Sequence, residues 1–177
     1  MRQAAEPTRT GTPRLAVRAL ILHGNRLLLV NAFRAGLSDL WCAPGGGVER
    51  GASLPENLMR EVMEECGLRV VVGAPVLVNE FHDPGSDFHQ VEVFFRCRIE
   101  GSDGDAGPES PNATNLGPAD AEPVDPGWTD PEGVVSVRRF FTREELASGL
   151  VRFKPDSLAS VAWGGDLRYD PLERLVR

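Results

Sequence analysis

Three glutamates on one predicted helix are the residues of this chain best placed to do chemistry. Glu61, Glu64 and Glu65 stand at positions i, i+3 and i+4, so their side chains share one face of a helix. In a cleft these carboxylates repel one another, and a hard divalent cation that favours oxygen ligands would relieve that repulsion. The competing interpretation is a solvated acidic surface, which the glutamates alone do not exclude.

A glycine-rich turn before this helix favours the first interpretation. Three consecutive glycines at 45–47 let the backbone approach a ligand closely, and their carbonyl oxygens suit the same cations. Ser53 and Glu56 have the spacing of a capping box, Pro55 suits the first helical turn, and Gly67 predicts the end of the helix. The residues expected to pack into the core from the opposite arc are Leu58, Met59, Val62 and Cys66, which would leave all three carboxylates pointing away from the core.

The segment 41–68 resembles the signature of the Nudix hydrolases. That signature is a glycine, five residues, a glutamate, seven residues, and then Arg-Glu-apolar-x-Glu-Glu-x-Gly-apolar. Gly46 opens it here, and its second half is matched by Arg60, Glu61, Val62, Glu64, Glu65, Gly67 and Leu68. One position departs, because Ala52 stands where the first signature glutamate belongs. A match over so many fixed positions is far more specific than a lone glycine motif.

The resemblance implies a role for each matching residue. Glu61, Glu64 and Glu65 would hold one or more Mg²⁺ or Mn²⁺ ions, with the carbonyl of Gly46 as a further ligand. Arg60 would orient a carboxylate of the same face. Such cations neutralise the oxygens of a diphosphate and the charge that builds on the leaving phosphate. Glu61 or Glu64 would then serve as the base for the water that splits the pyrophosphate bond.

Two features of the sequence bear on the strength of this activity. The family's first glutamate supports the signature arginine and the metal ligands, so Ala52 predicts an activity that survives in weakened form, with Glu49 or Glu56 as the residues that would compensate. Relatives often supply a further acid from a later loop, for which Asp130 and Glu132 are candidates. The sequence favours the simpler interpretation of these last two as solvated loop acids.

Three hypotheses for function follow from the resemblance. The leading one is divalent-metal-dependent hydrolysis of a pyrophosphate bond in a nucleoside diphosphate linked to another moiety, with oxidised nucleotides, ADP-ribose and nucleotide sugars all open. The alternative is a non-catalytic Nudix-like nucleotide-binding or regulatory domain, which Ala52 motivates; an isomerase is a weaker third. His82, Phe88 and His89 are candidate contacts for a base or sugar, although loop-surface and strand-end packing roles are favoured. A homodimer is an open expectation.

The composition fits one domain of modest size. The 177 residues are 41% hydrophobic, enough for one core. With 26 acidic and 19 basic residues the net charge is −7, which argues against a nucleic-acid partner. Three cysteines without metal-ligand spacing predict reduced thiols in a cytoplasmic protein. The first residues lack an apolar run, so neither a signal peptide nor a membrane segment is expected there.

Alternation and turn signals predict an α+β fold with a mixed or antiparallel sheet, and the resemblance implies the Nudix α/β/α sandwich with a mixed β-sheet. Residues 1–12 are expected to form a flexible tail and 13–177 a single domain. The segment 101–128, rich in Gly, Pro, Ala and Asp, is expected to be a mobile loop. The predicted strands are 15–22, 26–31, 68–72, 75–81, 88–100 and 134–141, and the later helices begin near 142 and 156.

Overall fold

A mixed β-sheet between two helical layers is the framework of the protein. The computed structural model describes residues 11–31, 33, 37–101 and 124–175. Its strands are β1 (Arg14–His23), β2 (Arg26–Asn31), β3 (Val70–Asp83), β4 (Phe88–Ile99), β5 (Val137–Phe141), β6 (Arg168–Tyr169) and β7 (Glu173–Arg174), and its helices are α1 (Leu54–Cys66), α2 (Arg143–Ala147) and α3 (Leu158–Ala162). The tail expected at 1–12, except for residues 11 and 12, and most of the loop expected at 101–128 lie outside the described residues.

The order of the strands confirms the predicted mixed sheet. It runs β5-β2-β1-β4-β3-β6, and β7 also pairs with β3. The pairs β1/β4, β3/β6 and β3/β7 are parallel, and the others are antiparallel. Because β1 and β4 are central neighbours, alternate side chains of both strands face the same helical layer. The sheet therefore separates two packed cores.

Each face of the sheet buries its own apolar cluster. On one face α1 packs against the sheet through Leu58, Val62 and Cys66, and on the other α3 packs through Leu158 and Val161. This arrangement is the expected α/β/α sandwich. Met59, by contrast, is 40% exposed, so the prediction that it packs into the core is wrong. The helix positions that are buried in addition to the predicted ones are Asn57 and Glu65.

The helix α1 begins where the sequence predicts. Ser53 is its N-cap, the Ser53 hydroxyl accepts from the Glu56 backbone N–H at 3.3 Å, and the Glu56 carboxylate accepts from the Ser53 N–H at 2.7 Å. A second capping box, between Thr142 and Glu145, opens α2. Both helix starts are thus stabilised by local hydrogen bonds, each worth about 1 kcal/mol.

The C-terminal end of α1 carries a contact that only glycine permits. Gly67 has φ 67° and donates to the Met63 carbonyl at 2.9 Å. A Cβ on Gly67 would lie 2.6 Å from the indole of Trp128, whose Nε1–H donates to the Glu64 carbonyl at 3.0 Å. Arg138 donates to the Trp128 carbonyl at 2.9 Å and also to the Glu65 carbonyl. These hydrogen bonds attach the chain after residue 123 to the C-terminal end of α1.

Several predicted element boundaries need correction. The strands expected at 68–72 and 75–81 are the single strand β3, whose register with β4 is irregular between Val72 and Leu77. The strand expected from residue 134 begins only at Val137, and the helix expected to begin near residue 156 begins at Leu158. The strands β6 and β7 were not predicted, because two residues carry no periodic signal.

All three cysteines are free. Among the helices of the described residues, none has both the length and the apolar run that crossing a membrane requires.

Candidate active site

The glycine-rich turn lies alongside β1. Val17 donates its N–H to the Gly46 carbonyl at 3.0 Å, and Ala19 donates to the Pro44 carbonyl at 2.8 Å. A Cβ on Gly45, which has φ 137°, would lie 2.1 Å from the Val17 carbonyl oxygen. The glycines therefore allow this turn to approach the sheet more closely than any other residue would.

A cavity of about 190 Å³ is enclosed by this turn, the helix α1 and the loop before β5. The structure brings the three predicted helix glutamates together there, and it adds Asp130 and Glu132 from the later loop. The residues that line the cavity are Arg14, Arg18, Gly45, Gly46, Gly47, Glu61, Glu64, Glu65, Asp130, Glu132 and Val134.

Glu61 occupies the space next to Gly46. A Cβ on Gly46 would lie 2.3 Å from Glu61 Oε2, so the absence of a side chain at this position admits the carboxylate. Burial raises the pKa of Glu61, Arg60 opposes this increase, and the nearby charges of Glu64 and Glu132 add to it. The carboxylates from the helix and from the later loop therefore act on one another electrostatically.

Arg60 bridges two of the three helix glutamates. Its Nη2 lies 2.7 Å from Glu61 Oε1, and its Nη1 lies 2.8 Å from Glu64 Oε2. The same Nη2 lies 3.7 Å from Glu49 Oε1. These ion pairs engage both acids that the resemblance singles out as candidate bases, and the orienting role of Arg60 stays a prediction.

Ala52, which occupies the position of the first signature glutamate, is exposed to solvent. Of the two acids proposed to compensate for Ala52, Glu49 reaches Arg60. Glu56 does not, because its carboxylate accepts 2.7 Å hydrogen bonds from both the N–H and the hydroxyl of Ser53. Glu49 is also 70% exposed at its side chain, so its hold on Arg60 is weak.

Glu65 differs from its two neighbours because it is buried. Only 6% of the residue is exposed, and its Oε2 accepts from the Gly45 N–H at 2.7 Å. Burial raises the pKa of Glu65 to about 7, although Arg18 and the Gly45 N–H act in the opposite direction. The expectation that all three carboxylates point away from the core is therefore wrong for Glu65.

The sequence did not predict that Arg14 and Arg18 line the cavity. Arg18 is the more buried of the two. Its Nε lies 2.7 Å from Glu92 Oε1, and its Nη1 donates to the Gly45 carbonyl at 2.6 Å. Burial lowers the pKa of Arg18, but the charges of Glu92, Cys42 and Glu65 raise it by a larger amount, so the net shift of the pKa is upward. The signal that could have revealed it is a charged residue at an inward position of an otherwise apolar strand.

Asp130 and Glu132 have different parts in the later loop. Asp130 is 4% exposed, and its carboxylate accepts from the backbone N–H groups of Glu132 at 2.9 Å, Val134 at 2.8 Å and Val135 at 2.7 Å. The interpretation as a solvated acid is therefore wrong for Asp130, whose carboxylate stabilises the conformation of the loop. Glu132 lines the cavity that this loop helps to enclose.

The three candidate base or sugar contacts lie elsewhere. None of His82, Phe88 and His89 lines the cavity of the glutamates. His89 Nε2 lies 3.2 Å from a carboxylate oxygen of Glu80, and the Phe88 ring packs on Phe81 with 5.8 Å between centroids. Their contacts fit the strand-end packing roles that the sequence argument favoured.

The donor set of the cavity fits a hard divalent cation. Every acidic ligand it offers is oxygen, and the Gly46 carbonyl, which accepts one hydrogen bond from Val17, keeps a second lone pair. With the side chains placed as they are, no three Asp, Glu, His or Cys residues of the described chain already converge on one metal position. Arg60 lies between Glu61 and Glu64, so a cation would have to replace its ion pairs.

Comparison with known proteins identifies the family. Residues 12–163 match the NUDIX domain model, and the chain therefore belongs to the Nudix family. It is 31% identical over 105 residues to the Bacillus subtilis (strain 168) protein YjhB, which carries the provisional name of an ADP-ribose pyrophosphatase; the match covers 58% of this chain and 49% of that protein. It is 29% identical over 101 residues to the ADP-ribose pyrophosphatase of Methanocaldococcus jannaschii, covering 57% of this chain and 60% of that one.

Solved structures support the fold. A UDP-X diphosphatase superposes with a TM-score of 0.59 at 21% identity, covering 92% of this chain and 68% of that one. An ADP-ribose pyrophosphatase from Streptococcus suis 89-1591 has a TM-score of 0.53 at 21% identity, covering 92% and 99%. The matches span only about half to three-fifths of the length of these two curated relatives.

Proposed function

We propose that this protein hydrolyses, with a divalent cation, the pyrophosphate bond of a nucleoside diphosphate linked to another moiety. The observation that carries the proposal is the single small cavity in which Glu61, Glu64, Glu65 and Glu132 meet against a glycine turn. Such a cluster costs folding free energy through desolvation and mutual repulsion. Binding of a cation and a polyanionic substrate would offset that cost.

Each residue has a definite part in the proposed reaction. Mg²⁺ or Mn²⁺, held by Glu61, Glu64, Glu65 and the Gly46 carbonyl, would supply charge neutralisation for the diphosphate oxygens and the leaving phosphate. Glu61 or Glu64 accepts the proton of the attacking water as its oxygen bonds to phosphorus and the bridging P–O bond breaks. Arg60 positions the two carboxylates before the cation binds, and it is then free to pair with a phosphate oxygen.

The relatives suggest the first substrate to test. Two curated relatives carry names of ADP-ribose pyrophosphatases, which places ADP-ribose ahead of oxidised nucleotides and nucleotide sugars in our proposal. The expected cytoplasmic location, the homodimer and the absence of a nucleic-acid partner stay predictions from the sequence.

The non-catalytic alternative rests on one specific observation. With Ala52 at the signature position, Arg60 binds both Glu61 and Glu64. If a cation cannot displace these ion pairs, the protein would bind a nucleotide without cleaving it. We rank this second, because a binding domain has no physical need for a repulsive cluster of carboxylates.

A substrate panel separates the two functions. The purified protein is incubated with ADP-ribose, a UDP-sugar and an 8-oxo-nucleoside triphosphate, each with Mg²⁺, with Mn²⁺ and with EDTA, and the release of nucleoside monophosphate is followed. The Glu61→Gln/Glu64→Gln double variant is the control for contaminating activity. We expect cation-dependent turnover that the double variant lacks. Binding without turnover of any substrate would support the alternative instead.

A further inference from the structure

A second cavity, of about 160 Å³, adjoins the acidic one at Arg18. Arg18 lines both cavities, so a ligand in one lies next to a ligand in the other. The walls of the second cavity are largely apolar and include Phe33, Leu40 and Phe81. Pockets of this kind, apolar with a few placed polar groups, are typical of small-molecule binding sites.

One polar atom in the wall of this cavity lacks a partner. Asn79, which lines it, is 3% exposed, and its Oδ1 has no hydrogen-bond partner among the described residues. Leaving such an acceptor buried and unpaired costs about 1–3 kcal/mol. A ligand that brings a hydrogen-bond donor to Asn79 would recover this free energy.

Four of the five charged residues in the wall are paired, and the fifth, Arg174, is exposed to solvent. Glu92 Oε1 accepts from Arg18 at 2.7 Å and from Gln90 at 2.9 Å. Lys154 Nζ lies 2.8 Å from Glu173 Oε2 and 3.0 Å from an oxygen of Asp156. The cavity therefore suits a neutral ring with an N–H donor better than another phosphate group.

We propose that Asn79 is a specificity-determining residue, which accepts a hydrogen bond from an N–H group of a nucleobase held between the apolar walls of this cavity. The inference rests on the proposed function, because the base is taken to be part of the same substrate whose diphosphate lies in the acidic cavity. The protein would then select its substrate by the N–H donors of the base, which one buried amide recognises.

The test measures binding without catalysis. Nucleoside monophosphates are titrated in EDTA by calorimetry, in two pairs that differ in one N–H donor: adenosine monophosphate against purine riboside monophosphate, and uridine monophosphate against its N3-methyl derivative. We expect at least one donor-bearing member to bind about tenfold more tightly than its partner, the worth of one buried hydrogen bond. In Asn79→Leu this preference should fall to about onefold.

Gln90 provides a matched control. Like Asn79 it is a buried amide, 2% exposed, with an unpartnered oxygen, but it does not line the cavity. Gln90→Leu removes a donor to Glu92 of the wall but no acceptor that lines the cavity, so it should keep the tenfold preference. A buried oxygen without a hydrogen-bond partner carries a desolvation penalty, which leucine removes. Asn79→Leu should therefore unfold at the wild-type temperature or above, which a thermal melt checks.

Three results would overturn the proposal: no binding of either pair, no donor preference in the wild type, or the same preference in Asn79→Leu as in the wild type. The proposed function is judged separately by turnover of the substrate panel with Mg²⁺. A wild type that discriminates donors in EDTA but hydrolyses nothing would refute the hydrolase and leave the role of Asn79 intact.

Discussion

Replacing Glu65 by glutamine should change how the stability of the cation-free protein depends on pH. Burial raises the pKa of Glu65 from the ordinary value of 4.5 to about 7. Between these two values the folded protein binds more protons at this carboxyl than the unfolded chain does, so its contribution makes stability fall as pH rises. The penalty is absent below the unfolded pKa and complete above the folded one.

The size of the effect follows from linkage. Integrating over the titration of Glu65 alone from pH 5 to pH 8 gives roughly 2–3 kcal/mol of lost stability. Glutamine has the same shape and keeps an acceptor for the Gly45 N–H, but it does not ionise. The free energy of unfolding of Glu65→Gln relative to wild type should therefore rise by roughly 2–3 kcal/mol between pH 5 and pH 8.

Urea unfolding in EDTA at the two pH values measures this difference, because all other titrating groups are common to both proteins. Glu56→Gln is the matched control. The capping-box hydrogen bonds from Ser53 lower the pKa of Glu56 below its ordinary 4.5, so its stabilising contribution is fully present throughout the range from pH 5 to pH 8. The effect of Glu56→Gln should be the same at both values. A Glu65→Gln protein whose stability runs parallel to wild type would refute the claim that burial opposes ionisation.

Three further substitutions test the acidic cavity. Glu64→Gln should lower kcat at least about 100-fold while unfolding within about 1 kcal/mol of wild type, because it breaks only a partly exposed ion pair with Arg60 and removes no core volume. Ala52→Glu should leave kcat equal or higher and tighten Mn²⁺ binding, measured by calorimetry, because a carboxylate there would draw Arg60 away from Glu61 and Glu64. Gly46→Ala should lower kcat about 10-fold or more with a small change in melting temperature, because its Cβ would displace the mobile end of Glu61, 2.3 Å away.

Each of these has a decisive opposite outcome. Full turnover in Glu64→Gln would remove this carboxylate from the mechanism, and a large loss in Ala52→Glu would mean that the site is built around alanine. Gly127→Ala is the control for the glycine replacement, since Gly127 does not line the cavity and its Cβ would meet only an Asp125 side-chain oxygen at 3.2 Å. Equal kinetics in both alanine variants would show that Glu61 tolerates displacement.

The local features of the fold were the most predictable from sequence. The capping box of Ser53, the glycine at position 67 and the alternation that defines β4 all depend on residues a few positions apart, and the structure contains each of them. Mixed topology and the α/β/α layers came from the family resemblance, since strand order depends on contacts between distant segments that periodicity does not encode.

The parts of the site that escaped prediction depend on tertiary burial. Glu64 and Glu65 are adjacent identical residues, and only the position of the glycine turn buries the second of them. Asp130 reads as a loop acid until its three backbone donors are known. Arg18 required knowledge that β1 lies beside both β4 and the glycine turn.

The attachment of Trp128 to the end of α1 has a consequence for how this protein tolerates change. Because the indole packs on Gly67 and donates to Glu64, the chain is fixed in place before it reaches Asp130 and Glu132. Lengthening or shortening the sequence between residues 101 and 124 should therefore leave the catalytic geometry undisturbed. We therefore expect that an affinity tag or a second domain inserted there would leave the turnover of the protein unchanged.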